Sequence, residues 1–117
     1  MLTEKDYCDY DTWSALKELG CDIPRRLIPD YLGVLHEPQF EETLHIYDAQ
    51  KWLRENHNLH ISTKPYPNEG GLMWMFEIRK FSPYLVSVIV NKTGFYDSEE
   101  ALLEGIKEAI KILKEDQ

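Results

Sequence analysis

The stretch Leu72-Met-Trp-Met-Phe-Glu-Ile-Arg-Lys-Phe-Ser-Pro-Tyr-Leu-Val-Ser-Val-Ile-Val-Asn91 decides the fold. Over 72–80, Leu72, Trp74, Phe76 and Ile78 recur at every second position, the period of a strand with one buried face. Ser82-Pro83 supplies a turn, and 84–91 is the most β-branched segment of the chain, so a second strand follows. Upstream, 59–64 alternates in the same way, and Pro65-Tyr-Pro-Asn-Glu-Gly-Gly71 reads as a turn region between the two. Three strands joined by short connections pair as an antiparallel meander.

Helices flank this core. Ile46, Ala49, Trp52 and Leu53 share one face of a helix ending near residues 56–58. Asp97-Ser-Glu-Glu100 reads as a capping box with Asp97 or Ser98 as the cap. Behind it, Ala101, Leu102, Ile106, Ala109, Ile110 and Leu113 form an apolar stripe, with Lys107, Lys111 and Lys114 toward the negative end of the helix dipole. Gly105 lies on the stripe, where it lowers helix propensity, so its use is close approach of helix to sheet. An earlier, shorter helix is capped by Asp11, carries Trp13, Leu16 and Leu19, and stops at Gly20. Residues 21–39 hold Pro24, Pro29, Pro38 and Gly33 and are the least regular; runs around 31–35 and 40–46 suit edge strands.

The fold class is therefore α+β: an antiparallel sheet of three central strands, open to one or two edge strands from 31–46. The last two helices pack on one face through Trp52, Leu53, Ile106 and Ile110. We expect one domain over 1–117, with a helix plus irregular segment at 1–45 and the helix–strand–strand–strand–helix core at 46–117. On this pattern Trp74, Phe76, Val86, Val88 and Val90 lie under the helices. The opposite face presents Met73, Met75, Leu85 and Ile89 beside His60, Glu77 and Arg79. A solvated face would be mostly polar; this one is half apolar. Either the first helix and the proline-rich segment cover it, or it is an interface built on Met73, Met75, Leu85 and Ile89.

Composition narrows the function. The chain has 117 residues, 43% of them hydrophobic, enough for a core without disulfide or metal staples. Its 21 acidic and 13 basic residues give a net charge of −8, which disfavours phosphate backbones and anionic lipid and suits a basic partner. No apolar run reaches membrane-spanning length and no signal-peptide core opens the chain, so the cytoplasm is the expected compartment and Cys8 and Cys21 are expected as reduced thiols.

No catalytic constellation emerges. Asp6, Asp9 and Asp11 around Cys8 disfavour a thiolate. The same aspartates lack the glycine and spaced ligands of a calcium loop. His57 and His60 straddle a helix end and a strand start, not the spacing of two zinc ligands on one helical face, and no cofactor motif is present. Gly70-Gly71 sits between strands and suits a hairpin, not a phosphate loop.

The order helix 46–57, three strands, helix 97–114 resembles the double-stranded RNA-binding domain fold. RNA-binding members hold phosphates with lysines where this chain has Ser98-Glu-Glu-Ala-Leu-Leu, so the resemblance implies topology and not RNA binding. Gly94-Phe-Tyr-Asp-Ser-Glu-Glu-Ala-Leu102 with Ile106-Lys-Glu-Ala-Ile110 is similar to the strand-to-helix passage of HicB-like antitoxins. Three segments, Tyr7-Cys-Asp-Tyr-Asp-Thr12 with Ala15-Leu-Lys-Glu-Leu-Gly20, Tyr47-Asp-Ala-Gln-Lys-Trp-Leu-Arg-Glu55, and Glu99-Glu-Ala-Leu102 with Gly105-Ile-Lys-Glu-Ala109, resemble small proteins of gut Bacteroidetes and their phages or mobile elements. These likenesses imply a compact interaction protein and supply no catalytic residue. The expected function is a non-catalytic interaction module, either homodimeric or an acidic partner for another protein. The alternative is a small-molecule or metal-binding accessory protein using His57, His60 and neighbouring aromatics.

Overall fold

In chain order the elements are α1 (Tyr10–Glu18), β1 (Ile28–Pro29), β2 (Leu35–His36), α2 (Ile46–His57), β3 (Leu59–Asn68), β4 (Gly71–Ser82), β5 (Leu85–Phe95) and α3 (Ser98–Glu115). The computed structural model describes residues 6–23, 28–29, 35–36, 44–83 and 85–115. β3, β4 and β5 form an antiparallel meander, and the helices pack on it, so the fold is α+β. β1 and β2 pair with each other and not with the meander. Two residues each, one of them Pro29 without an N–H, are too little to extend a sheet. The remainder of the expected strands at 31–35 and 40–46 lies largely outside the described residues. Of that stretch, His45 forms an isolated bridge with Tyr7, and the Cys8 N–H donates to the Leu44 carbonyl at 2.8 Å.

One core joins the helices to one face of the sheet. Leu59, Ile61, Phe76 and Ile78 are buried from below, and Ile46, Ala49, Leu53, Ala101, Leu102, Ile106 and Ala109 from above. Gly105 sits where α3 crosses the sheet. A methyl group added there would stand 2.6 Å from Ile61 Cγ2 and 3.2 Å from the Phe76 ring, so the missing side chain is what lets helix and sheet meet.

Local chemistry sets the ends of the helices. α1 is capped by Asp9, not Asp11: Asp9 Oδ1 accepts the Thr12 N–H at 2.8 Å, which leaves Asp11 in the first turn. Its end is a Schellman turn. Gly20 at φ +99° allows the Cys21 N–H to donate to Leu16 O and its own N–H to Lys17 O. His45 caps α2, its Nδ1 accepting the Tyr47 N–H at 3.2 Å, an arrangement that requires Nδ1 unprotonated. Asp97 caps α3 through the Glu100 N–H at 2.7 Å, and the Glu100 carboxylate accepts the Tyr96 N–H in return.

α1 lies against α3. Lys107 bridges Asp9 at 3.0 Å and Lys114 reaches Glu18 at 3.6 Å, while Leu16 enters the common core. Burial alone would raise the Asp9 pKa; hydrogen bonds from Thr12 and Lys107 outweigh it and hold the carboxyl below its ordinary value. The first helix therefore lies on the helical side and does not cover the second face of the sheet. Most of the proline-rich segment lies outside the described residues.

Candidate functional site

β3 continues past Lys64 through Pro65 and Pro67 to Asn68, so the turn region expected over 65–71 shrinks to residues 69–70. The reason is its place at an edge. Ile61, Pro65 and Pro67 share one parity, and the Gln50 side chain donates to the Ile61 carbonyl at 2.5 Å, so this parity faces outward. Prolines there have no ladder N–H to lose. α2 and two prolines thus occupy this edge.

The other edge, β5, differs. It runs on through 92–95, beyond the strand expected over 84–91, and it carries two bulges. Residues Ile89 and Gly94 are the extra residues where the register with β4 shifts, between Ile78/Arg79 and Trp74/Met75. Gly94 takes φ +100°, a conformation that a side chain would strain.

The Ile89 bulge reverses the inward–outward alternation of the strand before it. After the bulge, Val90 opposes Ile78 and packs on the core; before it, Val88 opposes Arg79 and Val86 opposes Phe81, on the other face. Val86 and Val88, expected under the helices, are instead 56% and 49% exposed. Leu85 opposes Ser82, which by the alternation of β4 is the helical side, at the hairpin end beyond the helices. It is 65% exposed, and Ile89 is 40% exposed.

Met73 and Met75 do lie on the face away from the helices, half-buried, opposite Tyr66 and Lys64. They belong to the far end of that face from Val86 and Val88. The polar row Ser62–Glu77–Asn91 separates the two ends. Glu77 is flanked by Lys64 and Arg79, each at 3.1 Å. The hydrogen bond from Lys64 leads in holding its carboxyl below the ordinary value and, with the charges of Lys64 and Arg79, outweighs the opposing effect of burial. The four residues expected as one interface are therefore distributed over two places, and Phe81, Val86 and Val88 complete the hairpin end that sequence reasoning missed.

The histidines diverge. His57 packs edge-on against Trp52, ring centroids 4.9 Å apart, whereas His60 stacks on Phe81 at 5.9 Å on the open face. Among the described residues no three His, Cys, Asp or Glu side chains converge as a metal site. Cys8 and Cys21 are buried in the core and are not joined as a disulfide. Burial foremost, then the charge of Asp9, pushes Cys8 up to about 12, so it stays a thiol at neutral pH. A cleft of about 270 Å³ between α1 and α3 is lined by Asp9, Asp11, Thr12, Ala15, Lys107 and Ile110, and the Asp9–Lys107 ion pair occupies its wall. No helix among the described residues is long and apolar enough to cross a membrane.

The feature with least internal explanation is the β4–β5 hairpin end, where Leu85, Val86, Val88 and Ile89 expose branched apolar side chains from adjacent positions. Comparisons with protein-family models, with curated proteins and with solved structures give no match, so the chain's own geometry carries the functional argument.

Proposed function

We propose that this chain is a non-catalytic protein-interaction module that docks through the β4–β5 hairpin end. The observation that carries the reading is the exposed run Leu85, Val86, Val88 and Ile89. Adjacent apolar side chains left in water are a standing cost that a partner would remove, at about 25 cal/mol per Å² buried. The acidic start of α3, Glu99 and Glu100, and the net charge of −8 support a protein partner over a nucleic acid.

A photo-reactive side chain at position 88, introduced in the native host, tests the reading. Discrete cross-linked adducts are expected from Val88 and not from the same group at Lys111, which is exposed on α3. Equal labelling from both positions, or no adduct from Val88, would sink it.

A further inference from the structure

We propose that the docked partner is a second copy of this chain, its β5 paired antiparallel with the first across a two-fold axis at Ser87. The inference rests on the interaction reading and gives it an occupant.

Two strand edges bound the sheet, and among the described residues only the β5 edge is left open to pair. Pro65, Pro67 and Gln50 occupy the outer side of β3. β5 contains no proline, and among the described residues no strand pairs with its outer side. Such an edge presents a row of unpaired N–H and C=O groups, which an identical antiparallel strand satisfies reciprocally.

The sequence of that edge reads alike in both directions. Leu85-Val-Ser-Val-Ile89 has a branched apolar residue, Val, Ser, Val and a branched apolar residue again. Pairing about Ser87 sets Val86 against the partner's Val88 on the open face. It also sets Leu85 against the partner's Ile89, and the two Ser87 hydroxyls against each other. A single unlike partner has no reason to require this palindrome; a second copy does.

Charge agrees. Between Glu77 and Asp97 there is no acidic residue, in a chain that has 21. Residues 59–95 hold four basic and two acidic side chains, whereas the remainder holds nine basic and nineteen acidic. Two molecules of net charge −8 repel overall, and paired through residues 85–89 they meet without an acidic residue on either strand. A surface made for a basic partner would be acidic, and this one carries Arg79, Lys80 and Lys92 at its margins.

The bulges at Ile89 and Gly94 bound the strength. With Ile89 itself bulged, they confine a regular ladder to roughly four residues, about 13 Å of edge, so the interface falls at the small end of specific ones and dissociates in the micromolar range.

Ser87→Cys provides the test in the full-length protein. Two strands paired about position 87 bring the two α-carbons within the roughly 4.4–6.8 Å that a disulfide spans. Mild oxidation should convert most of this variant to a covalent dimer, while Ser62→Cys, on β3, stays monomeric. Sedimentation of the unmodified protein should show a monomer–dimer equilibrium, and Val86→Glu with Val88→Glu should weaken it by about tenfold or more. Circular dichroism identical to wild type shows that these exposed positions leave the fold intact. A protein that remains monomeric at several hundred micromolar, or equal cross-linking of the two cysteine variants, overturns the inference. A monomer that still gives a Val88 adduct with a different protein would end this proposal and leave the interaction reading standing.

Discussion

The two edges of one sheet are built on opposite plans. β3 pairs without a register shift, lies beside α2, contributes Leu59 and Ile61 to the core, and has prolines and an amide from α2 on its outer side. β5 is bulged twice, contributes chiefly Val90 and Phe95 to the core margin, and exposes four apolar side chains around one hairpin end. Protection against edge pairing is thus concentrated on the strand that stability needs most. The strand that stability needs least carries the exposed apolar surface. On the proposed reading, structure and interaction are divided between the edges, and substitutions should separate them.

The largest difference is expected from truncating a β-branched side chain on each side. Ile61→Ala removes a fully buried side chain under Gly105 and should cost about 2–5 kcal/mol in urea unfolding. Val88→Ala, measured where the protein is dilute, should stay within about 0.5 kcal/mol. Similar losses at both positions would dissolve the contrast. Gly105→Ala comes next. The added methyl would meet the β-branched carbon of Ile61, which cannot swing aside, and overpacking costs about 1–3 kcal/mol. Helix propensity returns about 1 kcal/mol, so a net destabilisation of about 1 kcal/mol is expected. A raised melting temperature would show that α3 can lift from β3.

Much of this division was legible in the residues, and the illegible part has identifiable causes. Ile46, Ala49, Trp52 and Leu53, and the α3 stripe from Ala101 to Ile110, are buried as their spacing implied, because a period of 3.6 over three or more turns has few other readings. Gly105 announced its close approach. The first cap moved from Asp11 to Asp9, since two aspartates two residues apart offer the same chemistry and only the reach to the Thr12 N–H separates them. Pro65 and Pro67 looked like a turn because proline excludes a strand interior; that they lie on an edge is a tertiary fact. The Ile89 bulge had no glycine to mark it. One unmarked residue moved Val86 and Val88 to the other face, which is why the exposed patch was expected at Met73, Met75, Leu85 and Ile89 and was found centred on the hairpin end. Gly94 lies beyond the segment expected as a strand, which ended at 91, so the second bulge was not legible either.

If the prolines are what close β3, removing them should open it. Pro65→Thr with Pro67→Thr adds two outward N–H groups to an intact strand, with a stability loss of about 1 kcal/mol from the freer unfolded chain. Light scattering should then report species larger than a dimer, since each molecule would have two pairing edges. Association no greater than that of wild type would mean that Gln50 and α2 close the edge without the prolines.

The smallest expected effect reads both edges at once. His60 on β3 opposes Arg79 on β4, which opposes Val88 on β5, and its ring stacks on Phe81 with Nδ1 buried and lacking a hydrogen-bond partner. Burial first, then the charges of Arg54 and Arg79, lower its pKa from the ordinary 6.5. The unfolded chain therefore takes up a proton before the folded one does. Stability from the neutral ring is present above pH 6.5 and is lost as the pH falls through 6.5 toward the lower folded value. His60→Phe keeps the stack and removes the titration. Unfolding free energies at pH 7.5 and 5.5 should differ less for this variant than for wild type, while Val88→Ala should leave the wild-type difference unchanged. If His60→Phe retains the full wild-type difference, the pH sensitivity originates elsewhere. His45, whose Nδ1 must be unprotonated to cap α2, would then be the group to substitute.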